Sequence, residues 1–311
     1  MTISQQPNAP VPRPSVLRQI REGVTHPAGI AFLALWLLAA TTLVLRGHGE
    51  VLKGAPFTLG PETLLPILLL IWLVPRGPEA DVPRHSRAAL WGQVAFIVAL
   101  ILLNGLSGLR FHRVIPDGLE HIPVWTDLDL WLQRVGRRMF NNPGWVRNPV
   151  LYVLLPGAVL LLCRVRPAEL GLSKGYRSWV AAAPYLLFVG IAAVVHIAMG
   201  DTRVYTALPR TVLSHFLQNG FSEEFLFRGA LQSRLAPLIG EGWSLVVSSL
   251  LFGLVHLGTT TRSLGGDYLA GLAMTVVLQA CAGLVFGLMF MRTRSLIAPT
   301  IAHITLNMIS L

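Results

Sequence analysis

Lysine is almost missing from this chain: only Lys53 and Lys174 occur, while arginine, alanine and leucine abound. Charge of either sign is scarce, at 13% of residues where a soluble domain carries about 25%. Cysteine is limited to Cys163 and Cys281, both inside apolar runs. Two isolated thiols exclude a disulfide framework or a thiolate metal site and read as small core hydrophobes. No internal repeat and no appended soluble domain is visible. The net charge of +10 could suit nucleic acid, but the arginines sit in short loops between apolar runs. That is the placement the positive-inside rule expects of a membrane protein, so nucleic acid is excluded as a partner.

What the chain has instead is apolar length. It is 53% hydrophobic over 311 residues, with a mean hydropathy of +0.60. Repeated apolar runs of about 16–22 residues are long enough to cross a bilayer as helices. The expected fold is all-α: a polytopic transmembrane helical bundle of about nine spans, near 30–45, 57–74, 88–109, 149–163, 179–199, 210–238, 243–257, 269–291 and 296–311. The sixth is more polar than its neighbours and is counted because they cross. Residues 1–28 read as a polar cytoplasmic tail with Arg13, Arg18 and Arg21, leading into a signal anchor. Residues 29–166 carry the N-terminal spans.

Loop charges set an orientation. One side holds Arg76, Arg84, Arg87, Arg164, Arg166, Lys174, Arg177, Arg234, Arg292 and Arg294; the other short loops hold Arg46, Lys53, Arg203, Arg210 and Arg262. The bias predicts a cytoplasmic N-terminus. The arginine, alanine and leucine bias is that of a GC-rich bacterial genome, so the expected location is a bacterial inner (cytoplasmic) membrane. The segment 110–148 runs against the pattern, with six arginines on the outer side. Within it, near 123–146, Leu128, Leu132, Val135 and Met139 share one helical face and Arg134, Arg137 and Arg138 the other. Such a piece either lies flat in the headgroup region or packs on the bundle as a loop helix.

Ionisable groups inside spans are the informative residues, because a charge at mid-bilayer costs at least about 2.5–3.5 kcal/mol. The sixth segment carries Ser222-Glu223-Glu224-Phe225-Leu226-Phe227-Arg228. Glu224 and Arg228, four apart, share a face and can pair, which makes Glu224 a strut, while Glu223 points about 100° away. A carboxylate in such a setting suits general acid–base work. The seventh span has Phe252 and His256 on one face; the ninth has His303 and Asn307 one turn apart. Taken alone, His256 reads as a structural histidine, and the His303/Asn307 pair reads as a tie between helices.

Together, Glu-Glu-x-x-x-Arg, Phe-x-x-x-His and His-x-x-x-Asn, on separate spans and in that order, resemble the CPBP family. This family includes Rce1-type CAAX prenyl endopeptidases and their bacterial relatives, the ABI proteins. Glu169-Leu170-Gly171-Leu172 and the stretch 283–299 look similar as well. The resemblance covers about 167–311, the expected intramembrane protease domain and catalytic bundle. It implies endoproteolysis near the membrane in a membrane-anchored or lipid-modified protein or peptide, such as a sorting tail, pheromone or bacteriocin. Glu223 would be the base that activates water, with His256 helping to hold it. His303 and Asn307 would stabilise the oxyanion, and Glu224, Arg228 and Phe252 would support the arrangement. No cofactor is implied on that reading; the rival is zinc on Glu223, His256 and His303, without the His-Glu-x-x-His helix of zinc proteases.

Other readings stay open. A rhomboid-like Gly105-Leu106-Ser107-Gly108 leaves Glu223, Glu224 and His256 unexplained, and Gly265-Gly266-Asp267 lacks a partner aspartate within a span. A non-catalytic scaffold or immunity protein of the same fold would have no need of the intact motif set. A proton-coupled transporter would use the carboxylates as a relay. The depth of Glu223 and His256 in their spans predicts a site that opens to the exterior.

Overall fold

Apolar segments in lipid must satisfy every backbone N–H and C=O internally, and the helix does this within one segment. The computed structural model describes residues 15–54, 61–75, 85–200 and 203–309. Among them no strand occurs. The longer helices are α1 (Val16–Thr25), α2 (Pro27–Leu45), α3 (Pro61–Leu73), α4 (Arg87–Phe111), α5 (Trp125–Phe140) and α6 (Gly144–Leu162). After them come α7 (Ser178–Ala198), α8 (203–239), α9 (Glu241–Leu254), α10 (Leu257–Ser263), α11 (Tyr268–Thr293) and α12 (Ile297–Ile309).

Among the described residues five helices, α2, α4, α6, α7 and α11, are long and apolar enough to cross a membrane, and α9 with α10 makes a sixth if that pair, bent by 51°, is one span. The expectation of about nine counted α3, α8 and α12 in addition. Helices α3 and α12 have 13 residues each, and α8 is broken up by polar and charged side chains. Several expected features fall outside the described residues: 1–14 of the tail with Arg13, 57–60 of the second span, the loop arginines Arg76 and Arg84, and 310–311. The described end of the tail is helical: Ser15 accepts the Arg18 N–H and starts α1.

Chain ends of the helices pair in two sets. At one end Arg46 pairs with Asp267 at 2.7 Å, His112 meets Thr259 at 3.0 Å, and Tyr268 donates to the Val114 carbonyl. At the other, Arg292 donates to the Val74 carbonyl (2.7 Å), Arg177 to that of Leu73 (3.3 Å), and Arg234 pairs with Glu169 (3.0 Å). The loops read as lying on the N-terminal side thus share an end.

Helix α8 occupies the middle. Every residue from Ser222 to Gln232 is buried, and α6, α9, α11 and α12 pack against it. Two glycines permit the approach. A side chain at Gly220 would meet Ile304 of α12 at 2.5 Å, and one at Gly283 of α11 would meet Ser249 of α9 at 3.0 Å.

The amphipathic segment is held differently from its apolar stripe. In α5 Leu132 is buried, while Leu128, Trp131 and Met139 are exposed beside Arg134, Arg137 and Arg138. The docking face is polar: Asp129, fully buried, takes Arg110, Arg147 and Gln133 around its carboxylate. Ser107 accepts from the Trp125 indole, and Asp267 caps α11 through the Leu269 and Ala270 N–H groups, so these two residues have structural work.

The Glu169–Arg234 junction yields a pH prediction. Burial alone would raise the Glu169 pKa, but the Arg166 N–H and the Arg234 guanidinium outweigh it and hold the carboxyl below its usual range. That stabilisation is complete above the ordinary glutamate pKa and is lost as pH falls through the lowered one. Thermal stability in detergent should therefore decline more steeply on the acid side for the wild type than for Glu169→Gln. Parallel curves would remove the pair from the account.

Candidate active site

Three helices deliver the polar groups to one place. In α8, π-helical turns at Phe216–Gly220 and Phe225–Gln232 flank the short α-helical piece Phe221–Glu224 that carries both glutamates. Such wide turns are frequent at functional sites because they re-aim the side chains that follow. The second element is the break between α9 and α10, where His256 sits at φ −88° and ψ 2°. The seventh span was expected to end at 257, just past this histidine; the structure bends there and continues. The last carbonyls of a helix lack intrahelical partners. His256 uses one of them, placing Nδ1 2.8 Å from the Phe252 carbonyl. The third element is α12, with His303 and Asn307.

The two carboxylates have different surroundings. Glu224 is fully buried, and its Oε1 accepts from Arg228 Nη1 at 3.1 Å and from His303 Nδ1 at 2.8 Å. Arg228, also fully buried, sends its other terminal nitrogen to the Gly283 carbonyl at 3.0 Å. Glu223 keeps 8% of its surface exposed, and its Oε2 has no hydrogen-bond partner among the described residues. That oxygen lies 3.8 Å from His256 Nε2 and 3.9 Å from His303 Nε2. Both imidazoles thus have Nδ1 engaged and Nε2 turned toward Glu223. Because a carbonyl only accepts, His256 Nδ1 carries a hydrogen, and in the neutral ring Nε2 keeps its lone pair.

Aromatic faces enclose these groups. Phe252 lies 5.0 Å from the His256 ring and 5.8 Å from that of His303, and the Arg228 guanidinium sits 4.5 Å from its centre. Phe286 of α11 stacks on His303 at 4.7 Å, with 14° between the planes. Asn307 is one turn beyond His303, and its Nδ2 is buried without a hydrogen-bond partner among the described residues.

Sequence reasoning named Glu223, Glu224, Arg228, Phe252, His256 and His303, and the structure brings these six side chains together. The second role of Glu224, as the acceptor for His303, was not foreseen. Phe286 and the Gly283 carbonyl were missed. Their signal was the Gly283-Leu284-Val285-Phe286-Gly287 stretch, where two small residues a turn apart mark a close helix approach.

Residues 205–309 match the family model described as type II CAAX prenyl endopeptidase Rce1-like. No curated protein and no solved structure matches the chain. The match spans about the C-terminal third of the chain, which is similar to that family over these residues. The match begins after the Glu169–Leu172 stretch and takes in α8 to α12, every helix that supplies the six residues. It supports a CAAX-type intramembrane endopeptidase in general.

The buried ion pair predicts a stability pattern. Replacing Arg228 by methionine leaves Glu224 with one counter-group instead of two, and breaking a buried pair costs about 3–5 kcal/mol. Arg228→Met should therefore unfold at markedly lower temperature, and Glu224→Gln added to it should recover much of the loss. Additive destabilisation in the double variant would show that the two side chains do not depend on each other.

Proposed function

We propose that the chain is an intramembrane endopeptidase in which Glu223 acts as general base on a water molecule. The observation that carries this reading is Glu223 Oε2, unpartnered among the described residues and within 4 Å of two imidazole Nε2 atoms. A water at this oxygen would give a proton to Glu223 while His256 Nε2 accepts its second hydrogen, leaving an oxygen lone pair for the scissile carbonyl. The attack forms a tetrahedral oxyanion, and Glu223 then passes its proton to the departing amine. His303 and Asn307 are assigned to the oxyanion as donors. For His303 this requires the imidazolium form, with Nδ1–H on Glu224 and Nε2–H on the oxyanion; the Glu224 carboxylate supplies the countercharge. Arg228, Phe252 and Phe286 hold that pair in place.

A zinc ion on Glu223, His256 and His303 is the competing chemistry. Tetrahedral zinc with ligands at about 2.0–2.1 Å sets its donor atoms about 3.3–3.4 Å apart. The Glu223–imidazole separations are 3.8 and 3.9 Å, so zinc there would draw the three side chains closer together. We assign the water to Glu223 without a resident metal, and the chelator arm of the test decides between the two. The substrate would be a membrane-anchored or lipid-modified protein or peptide. Orientation follows the loop charges: N-terminus cytoplasmic in a bacterial inner membrane, with the site opening outward.

The test is a set of single variants expressed in the native host, with membrane proteins compared by mass spectrometry. Glu223→Gln should lower processing by about 10²–10⁴-fold and accumulate an uncut precursor, with the variant itself present at the wild-type level. His256→Ala and His303→Ala should lose processing as well, and chelators should leave the wild type active. Normal processing by Glu223→Gln would overturn the assignment; activity lost to chelators and restored by zinc would move it to the metal. A reporter that finds Arg203 cytoplasmic would reverse the orientation.

A further inference from the structure

The π-helical turn that precedes the glutamates is gripped by two side-chain donors on consecutive carbonyls. Ser222 Oγ donates to the Leu217 carbonyl at 2.6 Å, and Asn148 Nδ2 donates to the Gln218 carbonyl at 2.5 Å. The first belongs to α8. The second comes from α6, in the half of the chain that the family match does not reach.

Asn148 is itself held. Arg147 Nη1 donates to its Oδ1 at 2.9 Å, and since a guanidinium only donates, the amide must turn its nitrogen to Gln218. Arg147 is anchored in turn by Asp129 Oδ1 at 2.5 Å and Asn104 Oδ1 at 3.0 Å. Asp129 has no exposed surface, and Arg110 and Gln133 complete its shell. Beside Asn148, Trp145 Nε1 donates to Ser214 Oγ at 3.1 Å. The spacing is tight: a side chain at Gly144 would meet Gln218 Oε1 at 2.6 Å. A polar chain therefore runs from helix α5, through α4 and α6, to the turn that ends three residues before Glu223.

An extra residue in a helical turn rotates everything after it, so the state of this turn decides where Glu223 points. We propose that Asn148 is a positioning residue: fixed by Arg147 and Asp129, it holds the Phe216–Gly220 turn in its π form and so aims Glu223 at His256 and His303. The proposal rests on the reading of Glu223 as the base. It gives the N-terminal half a task in the reaction beyond spanning the bilayer.

The experiment uses the full chain in detergent micelles, with hydrogen exchange over 214–226 read by mass spectrometry. Activity is read on a quenched, farnesylated peptide probe. Asn148→Ala and Asn148→Asp, which both remove the donor, should speed exchange in 214–226 and leave α11 unchanged. On the probe they should lower kcat by up to about 100-fold with KM near the wild-type value, as for a reacting group displaced by about 1 Å. Asn148→Gln, which keeps the donor, should retain more activity than either. Ser222→Ala should weaken the same turn, so its effect combined with Asn148→Ala should be less than the product of the two. Unchanged exchange in both donor-less variants would overturn the proposal, as would faster exchange at undiminished kcat. Glu223→Gln separates the two claims: it should abolish cleavage with exchange as in the wild type, and cleavage that persists there sinks the glutamate reading alone.

Discussion

The Glu224 carboxylate is the point on which the C-terminal bundle is assembled. It is shut off from solvent and binds a guanidinium from its own helix and an imidazole from α12 through one oxygen. Arg228 pairs that charge within α8, and the second contact, from His303, ties α12 to α8 at this depth. The remaining geometry follows. With Nδ1 spent on Glu224, His303 has only Nε2 to offer Glu223, and Phe286 and Phe252 fix the plane of the ring. Arg228 reaches across to the Gly283 carbonyl and brings in α11, where the absence of a side chain lets α9 approach at Ser249.

Much of this was legible in the residues because the signals were local. A spacing of four announced the Glu224–Arg228 pair, and the same spacing announced Phe252 with His256. Apolar runs gave the positions of α2, α4, α6, α7 and α11, since length and hydropathy are properties of a single segment. The illegible parts are relations between segments. Nothing around Glu224 in the sequence says that it will accept from His303, and nothing around His256 says that the helix bends by 51° at that residue. Hydropathy speaks less clearly for three of the expected spans: the described parts of α3 and α12 have 13 residues each, and α8 trades apolar surface for buried polar contacts that hydropathy cannot see.

The segment near 123–146 is a second instance. Its periodicity pointed to an apolar stripe, whereas the contact that secures α5 is one carboxylate, Asp129, among Arg110, Arg147 and Gln133. A single charged residue on the buried side scarcely changes the pattern of a sixteen-residue helix. Removing a partner from such a buried charge costs about 3–5 kcal/mol, and its two arginine partners lie on other helices. Patterning reports area; it does not report pairing.

The bundle also has an order of construction. Helix α8 leaves the ribosome before α12, and until α12 docks, Glu224 has Arg228 alone and Glu223 has no imidazole from His303 beside it. On the proposed chemistry, a chain part-way through membrane insertion is inert, and competence arrives only with the final packing step. A hydrolase that shares its bilayer with every protein being inserted nearby would thereby be harmless while immature.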